Sequence, residues 1–454
     1  MPRLWIERAT GLVSAGAKLQ QAEDRLRYFP GRAHAFMDCT DRPAPTIVAG
    51  YVPEIVITDE VPRARATGPQ KPPYRVPLMA EIREMPWNGF NVISTFAGGG
   101  GSSTGYRMAG YRILFASEFV EAARETYRAN ASPSTILDGR DIRQLTAEDL
   151  LFATGLKPGE LDILDGSPPC ASFSTAGKRE KGWGTVKAYS DTQQRSDDLF
   201  FEYARLIDGV RPKVFVAENV SGLVKGTAKG YFIEIIRKLK SFGYKVEAQL
   251  LDAQWLGVPQ ARQRLIFVGV RDDLGLSPAF PKPLPFRYSV RDALPWITRA
   301  VHDTSGLYGA GEITNRPCPT VTVGVNSVNA NHYQVYGEVE PEADISRFAI
   351  GEEWDKLGGP GQSDRYFQLV RPDPNAPCPT VTASGGSGSI ASVTHPYEKR
   401  KFSIAELRRI CGFPDDYVLK GDFAQQWERL GRAVPPVMMS HVAATVRDHI
   451  LAKL

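Results

Sequence analysis

Four short segments carry residue types that could do nucleophilic and acid–base chemistry. GSPPCASFS, residues 166–174, places Cys170 on a turn directly after LDILDG, an apolar run that reads as a buried strand. Pro168 and Pro169 fix their own φ and deny the chain a helical continuation, which holds the thiol at the strand's carboxyl end. A thiolate there is a candidate nucleophile. A free cysteine is more often a small buried apolar group, so its partners must decide between the two. VFVAENV, residues 214–220, runs a second apolar strand into Glu218 and Asn219, the first a carboxyl group that could partner a nucleophile as an acid or base. VPQARQR, residues 258–264, brings the guanidinium groups of Arg262 and Arg264 two residues apart ahead of a further strand, LIFVGV. Upstream, FNVISTFAGGGG ends a strand in a glycine-rich turn at residues 98–101. Taken singly, Glu218 could be a surface carboxylate and QARQR an ordinary charged turn.

The elements that must position these groups alternate along the chain. NVISTF, a helix near 103–109, ILFASE and the helical FVEAARETYRANA give a βαβα rhythm, which LDILDG, a helix around 199–209, VFVAENV and a helix near 232–242 continue. YKVEAQLLD and RLIFVGV follow and suit an antiparallel hairpin at a sheet edge. The rhythm predicts a doubly wound, Rossmann-like α/β fold with ligands at the carboxyl ends of its strands. Domain boundaries follow from composition: an N-terminal extension with a basic, proline-rich linker over 1–90, a catalytic cofactor-binding domain over 91–286, a smaller, mostly β or irregular domain over 287–395, and a C-terminal segment, 396–454, that returns to the catalytic domain. Within the extension a helix near 17–27 and a strand near 46–49 are expected. PxPT followed by an apolar residue occurs three times, in RPAPTIV, RPCPTVTVG and APCPTVTASGG, each a stiff turn into a strand.

Glycine tract, PPC, ENV and QxRxR, in this order, resemble the DNA (cytosine-5)-methyltransferases. The resemblance covers residues 91–270 and returns at 376–454. It implies base flipping, with Cys170 adding to carbon 6 of cytosine, Glu218 stabilising charge at nitrogen 3, and Arg264 with Arg262 beside it binding the ring carbonyl or a phosphate. It implies S-adenosylmethionine as donor, held by Phe96, Gly98 and Gly100 at the first turn, by Glu118 on the ribose, by Asp141 and Ile142 at the adenine, and by Arg432 and Ala433 of the last motif. The segment 171–191 resembles the family's mobile loop, and the PxPT copy at 377–382 falls where the sequence-reading domain is organised. An RNA substrate and a catalytically silent DNA-binding regulator are the rival readings.

One departure concerns the donor. The family's last motif carries asparagine in GN[SA]V, where this chain has Gly431, Arg432, Ala433 and Val434. A guanidinium about 4 Å from a sulfonium costs about 4 kcal/mol at an effective dielectric of 20, so something must compensate. A donor with a carboxylate on its transferable methyl, carboxy-S-adenosylmethionine, would do so and give 5-carboxymethylcytosine. An acidic neighbour or a DNA phosphate on Arg432 would do so equally, with ordinary methylation.

Bulk properties agree with this reading without selecting it. Against 51 acidic residues stand 55 lysines and arginines, a net charge of +4, compatible with a nucleic-acid partner. The five cysteines include no CxxC pair, and no histidine stands at metal-ligand spacing, so neither disulfides nor a metal are expected. No apolar run approaches the roughly 18 residues that span a bilayer, and no secretory leader is evident. The expectation is a soluble intracellular protein, cytoplasmic or nucleoid-associated, acting on double-stranded DNA, for which a monomer suffices.

Overall fold

Seven strands rich in β-branched and aromatic residues form one twisted sheet, and their burial explains why few of them alternate apolar with polar. In the computed structural model the described residues are 5–8, 37–38, 53–56, 71–169, 187–189, 192–194, 199–220, 228–297 and 340–454. The chain divides into two compact units, Met1–Pro72 and Pro73–Leu454. In the first, β1 (Trp5–Arg8) pairs antiparallel with both β2 (Met37–Asp38) and β3 (Pro53–Val56). The expected helix near 17–27 and strand near 46–49 lie outside the described residues.

The second unit holds the large sheet. Its strands are β4 (Asn91–Thr95), β5 (Arg112–Ser117), β6 (Ile136–Asp138), β7 (Ile163–Gly166), β10 (Val214–Val220), β11 (Tyr244–Asp252) and β12 (Gln263–Arg271); a separate antiparallel pair is formed by β8 (Lys187–Tyr189) and β9 (Thr192–Gln194). The order is β11-β12-β10-β7-β4-β5-β6. β6, β5, β4, β7 and β10 run parallel, whereas β12 is antiparallel to β10 and to the edge strand β11, as the expected hairpin requires. β11 alternates, with Tyr244 and Val246 inward and Lys245 and Glu247 exposed, the pattern of a strand with one wet face.

Helices cover both faces. Leu199–Val210 buries Leu199, Tyr203, Leu206, Ile207 and Val210 at helical spacing against Ile93, Leu164, Phe215 and Phe267. On the opposite face, Gly101–Met108 and the C-terminal helix Pro436–His449 pack Tyr106, Met438, Met439 and Val442 onto Val92, Ile113, Val216 and Ile266. The Tyr111 hydroxyl donates to the Ala443 carbonyl at 3.0 Å, which fastens the C-terminal helix to the β5 side of the sheet.

A third core gathers Met79–Glu84, Val290–Ala293, Ile404–Ile410 and Phe423–Arg432 around Val381, Phe402, Phe413 and Trp427. Residues 73–90 cluster with the large unit: the Tyr74 hydroxyl donates to the Arg409 carbonyl and the Met79 amide to Asp416. Described parts of 287–395 include the helix Ala349–Leu357, which the irregular composition did not predict. The PxPT copies at 42 and 316 fall outside the described residues.

Candidate functional site

The strand order reverses between β4 and β7, which opens a crevice at their carboxyl ends, the place where open α/β sheets bind ligands. A cavity of about 1320 Å³ occupies it, walled by the glycine turn, residues 167–169, the end of β10, the start of β12, residues 380–387 and the helix Phe423–Arg432.

The turn after β4 is held in an unusual backbone path. Phe96 has φ 51°, a conformation a side chain adopts only when its surroundings impose it, and Gly98 has φ 54°. Phe96, Gly98 and Gly99 face the cavity. Gly100 lies behind them: with φ 93°, a Cβ there would lie 2.7 Å from the Tyr417 hydroxyl, so the turn and its close packing both call for glycine.

Glu118 ends β5 and accepts the amides of Gly98 at 2.7 Å and Val120 at 2.8 Å. Burial raises its pKa, opposed by those amides and by Arg429 and Arg124. Ile142 lines the cavity, while Asp141 stands outside its wall and caps the short turn that follows by accepting the Arg143 amide at 3.0 Å.

Cys170 lies outside the described residues. Ser167, Pro168 and Pro169, which lead to it, line the cavity, and Asn219 fixes that turn by donating Nδ2 to the Pro168 carbonyl at 3.1 Å. Glu218 precedes Asn219, pairs in register with Ile266 and lies 2.5 Å from Nε of Arg264. Both side chains are largely buried. Burial raises the Glu218 pKa, opposed by Arg264 and Arg262.

Arg262 also lines the cavity, with its guanidinium engaged by backbone. It is 1% exposed, and its terminal nitrogens donate to the carbonyls of Val381 at 3.1 Å and Gly431 at 2.7 Å. Burial lowers its pKa to about 9, which leaves it charged at neutral pH. Arg262 thus ties the β12 approach to the PxPT segment and to the last motif. The Ala261 amide reinforces this by donating to Cys378 at 2.8 Å, and the Cys378 amide by donating to Pro259 at 2.9 Å.

Arg432 and Ala433 line the cavity, and Nε of Arg432 lies 2.7 Å from Glu428, one helical turn earlier. Glu428 also accepts from Arg429 at 2.9 Å. The compensation that Arg432 demanded is therefore supplied by an internal carboxylate, and the carboxylated donor loses the observation that motivated it. Glu428 and Arg429 were missed in the sequence, although Glu428 four residues before Arg432 is a legible helical ion pair. Among the described residues no cluster of metal-ligating side chains occurs, and no helix is long and apolar enough to cross a membrane.

This sheet, its switch-point crevice and the acid–guanidinium pair beside a proline turn define a Rossmann-like α/β fold of the methyltransferase type. The fold is shared with a prophage-encoded protein of E. coli (TM-score 0.54, 23% identity, 80% of this chain and 100% of that one) and with a mutant of Spodoptera frugiperda DNMT2 (TM-score 0.52, 17% identity, 79% and 100%). The profile of the family described as C-5 cytosine-specific DNA methylase matches residues 90–448, and the chain belongs to that family. Among its relatives are the type II methyltransferases M.DdeI of Desulfomicrobium norvegicum, 30% identical over 387 residues (78% of this chain, 88% of the relative), and M.NgoPII of Neisseria gonorrhoeae, 29% identical over 363 residues (80% and 96%).

Proposed function

We propose that this protein methylates carbon 5 of cytosine in double-stranded DNA, using S-adenosylmethionine and Cys170 as nucleophile. The observation that carries the reading is the Glu218–Arg264 pair, buried at 2.5 Å in the cavity that the glycine turn and the Pro168–Pro169 turn also line. Membership of the cytosine-5 family supports the same reaction class.

Carbon 5 of cytosine is a poor nucleophile until carbon 6 is attacked. The Cys170 thiolate forms a bond to carbon 6, and the ring's displaced electron pair moves toward nitrogen 3, where protonated Glu218 delivers its proton. Arg264 then faces the carboxylate left on Glu218 and holds the ring carbonyl, so charge develops against a fixed cation. The cofactor, when bound, supplies an electrophilic methyl group. Once carbon 5 carries the methyl group, loss of its proton to solvent lets the Cys170 thiolate leave carbon 6, and nitrogen 3 returns its proton to Glu218, which restores the ring.

The residues fit that cofactor by their chemistry. Glu118 offers a carboxylate at the cavity wall for vicinal hydroxyls, Phe96 and Ile142 offer apolar surface, and Gly98 has open space where a Cβ would project. A stacked cytosine must leave the duplex to reach Glu218. Because Glu428 already balances Arg432, a plain methyl donor is the expected substrate.

The test offers the protein mixed-sequence duplex DNA, transfer RNA and equal amounts of S-adenosylmethionine and its carboxylated analogue, and quantifies modified nucleosides by mass spectrometry. 5-Methylcytosine in the DNA is expected. Predominant 5-carboxymethylcytosine would overturn the donor, product in RNA alone the substrate, and no product the enzymatic reading.

A further inference from the structure

Lys401 is a buried ammonium, with side-chain carbon and nitrogen wholly shielded from solvent. Its charge is met by backbone. Nζ donates to the carbonyls of Gly385 and Ser387 and, at 3.1 Å, to that of Ile390, matching three donors to three acceptors of one short segment. Nζ also stands 5.6 Å over the ring of Trp427, whose indole nitrogen donates to the Thr382 carbonyl at 2.9 Å. Among the described residues no carboxylate pairs with Lys401; the neighbouring Arg400 spends its guanidinium on Glu398 and Glu406.

The captured segment is the wall of the site. Ala383, Ser384, Gly386 and Ser387 line the cavity. Its glycines are pressed against the helix Phe423–Arg432: a Cβ on Gly385 would lie 2.6 Å from the Trp427 indole nitrogen, and one on Gly386 2.7 Å from Ala424 Cα. With the carbonyls turned inward to one cation, the polar and small side chains of the segment are presented to the crevice. Such a glycine- and serine-rich stretch has little conformational preference of its own, so the cation sets its path.

We propose that Lys401 is a positioning residue for the nucleic acid: by gathering the carbonyls of residues 385, 387 and 390 it fixes segment 383–390 as the rim on which the DNA strand seats beside the flipped base. This rests on the reading that the cavity takes a cytosine out of a duplex. A neutral lysine has two protons for three acceptors, so the rim should slacken on deprotonation, and burial lowers the Lys401 pKa to about 7. The groups around it are Trp427 from the helix, the carbonyls and Ser387 from the rim, and the Arg400–Glu406 pair from its own segment; among these described neighbours Lys401 is the group poised to change charge near neutrality.

The wild type, Lys401→Met and Lys401→Arg are compared for S-adenosylmethionine affinity by calorimetry and for KM and kcat with mixed-sequence duplex DNA from pH 6 to pH 8. Lys401→Met keeps the stem and removes the donors. Its duplex KM should rise by about tenfold or more, with kcat and cofactor affinity within about twofold. An unchanged duplex KM, or a parallel loss of cofactor and duplex binding, would overturn the proposal. Should Lys401→Met fail to fold, which thermal unfolding of the purified variant reveals, the wild-type profile decides. A duplex KM that climbs with pH at constant cofactor affinity, and a flat profile in Lys401→Arg, support the rim; a flat wild-type profile overturns it. A wild type that binds cofactor but modifies no duplex overturns the DNA reading itself, which the control reveals before any variant is made.

Discussion

Replacing Asp165 by asparagine should remove a pH-dependent weakness from the centre of the fold. Asp165 lies in β7, 1% exposed, and its carboxylate accepts hydrogen bonds from Ser94 at 2.9 Å, Ser102 at 2.8 Å and Tyr106 at 3.3 Å. Those hydroxyls do not repay burial: desolvation lifts the pKa from 3.8 to about 7, and the nearby Glu218 adds to the rise. The sign follows from linkage. Below the unfolded value both states are protonated and nothing is lost; between about 4 and 7 the unfolded chain ionises while the folded one does not; above about 7 both are ionised and the whole penalty, about 4 kcal/mol, is present. Stability from this residue is thus greatest in acid and falls as pH rises. Urea unfolding at steps between pH 5 and pH 8 should show the wild type losing free energy toward pH 8, with Asp165→Asn flatter by about 3 kcal/mol over that window, the rest of the penalty having set in below pH 5. Equal slopes for the two proteins would refute the assignment of an uncompensated buried carboxylate.

Three further outcomes follow from the site. Glu218→Gln should lower kcat by about 10²-fold or more with cofactor affinity unchanged, and the decline of kcat with rising pH, expected as the protonated acid is lost, should vanish in the variant's pH–rate profile. Arg262→Met leaves the buried carbonyls of Val381 and Gly431 without donors; at about 1–3 kcal/mol for each, the loss should appear as a markedly lower midpoint in thermal unfolding. Arg432→Gln breaks a half-exposed ion pair with Glu428, so thermal unfolding should move by less than about 1 kcal/mol, and nucleoside analysis should still find 5-methylcytosine.

The sheet was legible because its strands are buried runs such as ILDG and VFVAENV, whose flanking turns carry proline, glycine or asparagine. The antiparallel edge was legible from the short connection between YKVEAQLLD and RLIFVGV. Glu218 and Arg264, singled out by their motifs, meet because adjacent strands deliver them to one crevice. Arg262 looked equivalent to Arg264, yet consecutive outward positions on a strand's approach need not share an environment, and its partners Val381 and Gly431 lie 119 and 169 residues further along the chain. Gly100 and Asp141 were read as cofactor contacts from motif position, and sequence alone did not show that the first packs against Tyr417 and the second caps a short turn. The Lys401 cage was invisible, because a lysine among KRKFS reads as a solvated charge until the fold folds three carbonyls around it.

The most direct measurement of the central claim incubates the protein with S-adenosylmethionine and duplex DNA carrying 5-fluorocytosine, whose carbon 5 cannot release a proton, and resolves the products by denaturing electrophoresis and peptide mass spectrometry. A covalent protein–DNA complex linked through Cys170, and absent in Cys170→Ser, is the predicted result. A complex that survives Cys170→Ser, or methylated DNA without any trapped complex, would contradict the account.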